Sequence, residues 1–372
     1  MMAKAPETLT RRALNRALLA RQMLLGRIPL DPEHAVERLL GLQSQIPDNP
    51  YVALWSRLEG FDPHALSDLT ERRRLVRIAL MRGTLHLVSV RDAAALRPVM
   101  QKVFARNMTA GSVYGKALAG LDMEALLRTG QRIVEEKPRS NKELSEFLAP
   151  HFPERDGSAL SQAVRAVLPL VQITPRGLWR RGGLAISTTL ESWTGTRLAE
   201  DDTPDAILLR YLAAFGPASV ADMQAWSGLT RLAGAIARLR PQLVEFHDED
   251  GRVLYDLPEA PRPNAGSEAP PRFLPDYDNA LLGHDDRRRI VDHGHRLHFK
   301  KANGLLPAFL VDGMVAGSWR LDRDRTGARL SIQPLTPLHR RDRDALAEEA
   351  AALLAFHEPD APAREVEFAD AP

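Results

Sequence analysis

Residues Val76–Val90 read VRIALMRGTLHLVSV, two apolar, β-branched runs, Val76–Leu80 and Leu85–Val90, on either side of Gly83-Thr84. Runs of this length around a turn residue predict a β-hairpin. Upstream, the signals are helical. Arg11–Leu25 is periodic, Tyr51–Leu58 is a short apolar helix, and Asp31-Pro32 and Asp62-Pro63 each place an N-cap Asp before a first-turn Pro. Helices followed by a two-stranded ribbon make the pattern of a winged helix-turn-helix.

The pattern recurs twice. A second set of helices starts at Asp122, at the capping-box signal Ser140-Asn141-Lys142-Glu143 and at Ser158, and Ile173–Ile186 reads as its wing. A third set starts at Thr203-Pro204, Ser219 and Thr230, and its wing, Leu243–Leu257, turns at Asp250-Gly251. Glu259–Pro271 (EAPRPNAGSEAPP) has the composition of an extended linker. Beyond it, Asp312-Gly313 between apolar runs predicts another hairpin, and Arg329–Leu335 a strand. Asp344–Phe356 predicts a closing helix. The expected fold is α+β: three tandem winged helix-turn-helix units (1–118, 119–200, 201–258), a linker (259–271), a small C-terminal β-barrel (272–357) and a disordered acidic tail (358–372).

Composition excludes several chemistries. The 372 residues include no cysteine, so disulfides, thiolate metal sites and thiol catalysis are absent. Neither a membrane-length apolar run nor a signal peptide is evident, and a cytoplasmic, monomeric protein is expected. The formal net charge is only +2, so a nucleic-acid surface would require charge segregated onto one face. No glycine-rich phosphate loop is present.

Gly41–Pro47 (GLQSQIP) stands out chemically. The helix opened by Asp31 is expected to end near Gln45, because Pro47 disfavours helical geometry at Ile46. Gln43 would then continue the row Val36, Leu39, Leu40, a polar amide where the period calls for an apolar group, and a buried amide needs partners. Taken alone, Gln43 and Gln45 are better explained as satisfying a helix C-terminus, since Gln-x-Gln is a weak pattern.

The wider sequence alters that balance. Leu40–Leu58, Met81–Val88, Gly216–Leu229, Phe273–Leu282 and Leu310–Arg320 together resemble the AlkZ-like winged-helix DNA glycosylases. The resemblance covers most of the chain and implies the same units and barrel. In that family a Gln–aliphatic–Gln motif carries catalysis. Gln43 and Gln45 match its outer positions, with Ser44 between them. The resemblance implies hydrolysis of the N-glycosidic bond of alkylated purines in damaged double-stranded DNA, with no metal or cofactor. Asp48, Asp276 and Asp278 rank second as site residues. Asp48 is the alternative base and the Asp276/Asp278 pair could orient the amides or a water. Each could equally cap a turn.

Local basic clusters suggest where DNA would lie: Arg82 and His86 at the first wing turn, Arg176, Arg180 and Arg181 beside Trp179 in the second, and Arg231 and Arg238, seven residues apart and so on one helix face, in the third. The densest stretch runs from Arg287-Arg288-Arg289 to His298-Phe299-Lys300-Lys301, where Phe299 could wedge between base steps. For each cation a solvated face is as good a reading. His293 and His295 with Asp292 match no recognised zinc spacing. A non-enzymatic winged-helix regulator is the rival of another class, and a protein-interaction scaffold a third.

Overall fold

The computed structural model describes residues 6–108, 116–292, 300–301 and 304–371. The expected caps form: Thr10, Asp31 and Asp62 each accept a hydrogen bond at the start of the helices Arg11–Arg21, Pro32–Arg38 and Pro63–Glu71. The second of these ends at Arg38, well short of Gln45. Leu40 adopts φ +57°, Gly41 φ +88°, and the Gly41 and Leu40 amides donate to Val36 O at 2.9 Å and Glu37 O at 3.1 Å. That is a Schellman closure, with Leu40 in the left-handed position that glycine usually fills. A Cβ on Gly41 would lie 2.4 Å from Val88 Cγ1, so the chain can cross the hairpin here only as glycine. It emerges extended, and Leu42–Gln43 pairs antiparallel with Leu87 and His86. Gln43 therefore sits on a sheet edge and not on a helical row.

The first hairpin is Leu75–Ala79 against Leu85–Ser89, joined through a 3-10 turn at Met81–Gly83. The long helix Val90–Asn107 follows, and then Met123–Glu136, Asn141–Leu148 (with its capping box) and Gly157–Val167 lead to a second hairpin. Its strands, Leu170–Gln172 and Ile186–Thr189, lie at the margins of the expected wing, most of which is the loop between them. The two hairpins join edge to edge through Arg77↔Gln172 and Ile78↔Val171. They form one six-stranded sheet with Leu42–Gln43 at one edge and Arg139–Ser140 at the other. Pairing satisfies backbone groups that two separate ribbons would leave exposed. A third set of helices (Asp205–Phe215, Val220–Ser227, Ala233–Leu239) leads to the hairpin Val244–Asp248/Val253–Asp256, which Glu7–Leu9 joins in parallel.

Glu259–Pro271 contains neither strand nor helix, yet it is tied to the first helix. Arg12, Arg16 and Arg21 donate to Ala265 O, Ser267 O and Pro261 O at 2.8, 2.7 and 3.2 Å. The C-terminal part differs from expectation in two ways. Its strands form an open five-stranded sheet rather than a closed barrel, with Arg272–Leu274 and Arg364–Phe368 at the edges among the described residues. The helix Arg340–His357 packs on it through Leu346, Leu353 and Leu354 against Phe273, Phe309 and Trp319. The acidic tail is partly ordered: Arg364–Phe368 pairs in parallel with Ala328–Ile332. Val366 and Phe368 turn inward, while Glu365 and Glu367 meet Arg329 at 3.0 and 3.5 Å. Period-2 alternation, masked by acidic composition, makes the strand. Among the described residues no helix is long and apolar enough to cross a membrane.

Candidate active site

Gln43 is 7% exposed, and its Oε1 accepts from Arg82 Nη2 at 3.2 Å. A guanidinium only donates, so the amide must turn its oxygen to Arg82 and its NH2 away. Arg82 occupies the hairpin turn with φ +57°, and its other terminal nitrogen donates to Trp226 O. The approach is close: a Cβ on Gly228 would stand 3.1 Å from Arg82 Cα. Burial, reinforced by the charge of Arg287, lowers the Arg82 pKa to about 10. His86, opposite Gln43 in the strand pair, is buried with Nδ1 2.8 Å from Thr84 O. Burial and then the Arg82 charge push it down to about 3, so it stays neutral at physiological pH.

Ser44 points into the protein. Arg77 donates from Nε to Ser44 Oγ at 2.9 Å and from Nη2 to Ser44 O at 2.7 Å. Arg77 is itself buried, its pKa lowered to about 10 first by that burial. Gly177, at φ +96°, makes room for it: a Cβ there would lie 2.7 Å from Arg77 Cδ. The polar residue between the two glutamines is thus matched to a buried donor, which an aliphatic side chain would leave unpaired. Gln45 follows in an exposed bend.

A second segment braces this loop. Asn279 Nδ2 donates to Gly41 O at 2.7 Å and Leu39 O at 3.2 Å, and Asn49 Nδ2 to Asp276 O at 2.7 Å. Asp278 accepts from both terminal nitrogens of Arg57, at 2.7 and 2.9 Å, with neither side chain exposed, and it also caps Ala280 N. Asp278 is therefore a structural anchor, inaccessible to substrate. Asp48 is exposed at the start of the helix Asn49–Trp55, without a capping bond, and Asp276 is half-buried. Arg77, Asn49 and Asn279 were not singled out from the sequence. Only their partners across the fold reveal their role.

The family model for the AlkZ-like DNA glycosylases matches residues 36–356, from the helix before Gln43 to the last helix. The chain belongs to this family. It is a DNA glycosylase, an enzyme of DNA repair whose substrate is DNA. The solved structure of Streptomyces sahachiroi DNA glycosylase AlkZ is similar, with a TM-score of 0.81, 21% identity, and coverage of 97% of this chain and 100% of that one. At that identity the likeness shows the shared fold. No curated protein matches the sequence.

The cations of this glycosylase expected to face DNA divide into groups. His86 is buried and neutral, and the half-buried Arg82 spends its guanidinium on Gln43 and Trp226 O. Arg180 is engaged by Glu358 at 3.3 Å, Asp360 at 3.8 Å and His357 O. Arg238 pairs with Asp205 at 2.6 Å. Arg181 and Arg231 are exposed. Lys300 and Lys301 form a short strand with Gly304–Leu305, whereas His293, His295, His298 and Phe299 lie outside the described residues. Among the described residues no group of three or more His, Asp or Glu is placed to hold a metal ion.

Proposed function

We propose that this glycosylase is monofunctional and hydrolyses the N-glycosidic bond of N7-alkylated purines, including bulky adducts and interstrand crosslinks, with Gln43 and Gln45 as its catalytic pair. The observation that carries the reading is an uncharged pair on one loop: Gln43 held through its oxygen by the half-buried Arg82 guanidinium, and Gln45 exposed beside it. Alkylation at N7 makes the base cationic, so it departs neutral and needs little general-acid help. What remains is to place a water against a sugar of oxocarbenium character and to stabilise that charge. The Gln45 amide oxygen would hold the water. Gln43, its oxygen already engaged, would orient Gln45 or the water through its NH2. Neutral groups of this kind would spare normal bases, whose departure requires protonation.

In this reading the three helix-and-hairpin blocks are tandem winged-helix units that hold duplex DNA in any sequence context. The protein acts as a monomer in the cytoplasm, in general repair or in self-resistance to a genotoxic natural product. A sequence-specific regulator would instead bind one site far more tightly than random DNA.

Bifunctional enzymes cut the strand through an amine that forms a Schiff base with the sugar. Between Glu33 and Leu58 there is no lysine. Incubation with duplexes carrying N7-alkylguanine is expected to release the base and leave an intact strand, cleavable only after heat or alkali. Borohydride added during turnover should trap no protein–DNA adduct. An adduct that disappears when one lysine is replaced would move the chemistry away from the amides.

Arg82 is assigned as a positioning residue for Gln43. Arg82→Met should slow single-turnover release about 10–100-fold by misplacing the amide, with the salt dependence of DNA binding unchanged. A shallower salt slope at an unaltered rate would return Arg82 to phosphate contact.

A further inference from the structure

The loop of the second hairpin, residues 173–185, divides into an anchored root and a bare tip. At the root, Gly177 O accepts from the Tyr51 hydroxyl at 2.9 Å, the Trp179 ring lies 4.9 Å from that of Tyr51, and Arg180 is held by Glu358. The loop is also tied to the amide segment. Arg77, which donates to Ser44 O, reaches Arg176 O from Nη1 at 3.4 Å, and Arg176 donates to Gly183 O at 3.0 Å. At the tip, residues 181–185 are all exposed, and Leu184, at 73%, is the most exposed large apolar residue among those described. Three features indicate what covers it. Arg181 is exposed and pairs with no carboxylate among the described residues, nor does Arg176, and such cations suit phosphates. Gly182 has nothing within 4 Å of where a Cβ would stand and no left-handed φ, so the protein itself does not require glycine there, whereas a backbone approaching from outside would. The other two hairpin tips are unsuited to DNA: Arg82 is engaged by Gln43 and Trp226 O, and the third tip turns through the exposed acids Glu249 and Asp250.

We propose that Leu184 enters the DNA as an apolar wedge at a base step beside the lesion, with Arg181 on the adjacent phosphate. Apolar side chains inserted in this way partly unstack the neighbouring bases and kink the duplex. The kink opens a path for Gln45 to the sugar. The connection from Ser44 through Arg77 and Arg176 to Gly183 fixes the wedge relative to the amides, so that insertion and alignment occur together. The position beside the lesion rests on the reading of Gln43 and Gln45 as the catalytic pair.

The test places 2-aminopurine, which brightens on unstacking, at single positions on either side of a tetrahydrofuran abasic site in a duplex and reads its fluorescence at saturating protein. Wild type should brighten the probe at one step. Leu184→Ser, checked for folding by thermal denaturation, should lose that signal, keep the salt slope of DNA binding and slow single-turnover release from N7-alkylguanine DNA about tenfold. Leu184→Phe, still apolar, should restore both signal and rate. Arg181→Ala should keep the bright step and reduce the salt slope by about 1. No brightened position with wild type, or an undiminished signal in Leu184→Ser, would overturn the proposal. The fluorescence needs no turnover, which separates the wedge from the chemistry. A signal lost only in Leu184→Ser, together with wild-type release by the Gln43→Ala/Gln45→Ala double variant, would sink the catalytic reading and keep the wedge. An inactive double variant with the signal intact in Leu184→Ser would overturn the wedge alone.

Discussion

Gln45→Ala is expected to slow single-turnover base release about 10²–10³-fold, the usual cost of removing one preorganised hydrogen bond to the transition state, with DNA affinity near wild type. The expectation follows from placement. Gln45 is exposed in the bend after the edge strand, so truncating it removes no core contact and should leave stability unchanged. Gln43→Ala should also lower the rate, but it additionally strips a partner from the half-buried Arg82 guanidinium and should cost some stability as well. The two variants therefore separate a group acting on substrate from one that is also part of the scaffold. Wild-type rates in both, with folding intact, would remove the amides from the mechanism. Asp48, exposed three residues after Gln45, would then be the next base to test.

Asp278→Ala is expected to produce the largest loss of stability, about 3–5 kcal/mol, because it leaves the fully buried Arg57 guanidinium without its counter-ion. It also removes the cap on Ala280. The adjacent Asn279 holds Gly41 and Leu39, so the loop bearing Gln43 should loosen and activity should fall in the surviving folded protein. Denaturant midpoints at constant slope measure the first effect, and single-turnover rates the second. Asp278→Asn, which retains hydrogen-bond acceptance without the charge, should lose less. An unchanged midpoint for Asp278→Ala would show that the Arg57–Asp278 pair does not anchor the bracing loop.

What was legible in the sequence was local. Asp31-Pro32, Asp62-Pro63 and the Ser140–Glu143 capping box announce helix starts because the capping chemistry lies within a few residues of the cap. The hairpins at Gly83-Thr84, Asp250-Gly251 and Asp312-Gly313 are set by equally short-range turn preferences. What was not legible depends on distant partners. The helix after Asp31 ends at Arg38 because Gly41 must pass close to Val88, 47 residues away, and helical periodicity contains no sign of that approach. The two hairpins share one sheet through Arg77 and Gln172, which no single segment reveals. The basic residues show the same limit. Arg82, Arg180 and Arg238 resemble phosphate contacts in a list of residues, yet each is committed to partners brought from other segments. Arg77 has no local mark beyond its place in a strand, although it holds the middle residue of the Gln43–Gln45 segment.

The central claim is that two uncharged amides, with water as nucleophile, release a cationic alkylated base. The most direct measurement is the single-turnover yield of alkali-labile sites from a duplex with one N7-alkylguanine in arbitrary sequence, comparing wild type with the Gln43→Ala/Gln45→Ala double variant at saturating protein. Wild type should convert the duplex to abasic strand, and the double variant should not exceed spontaneous depurination while still binding DNA. Base release by the double variant at the wild-type rate would contradict the account.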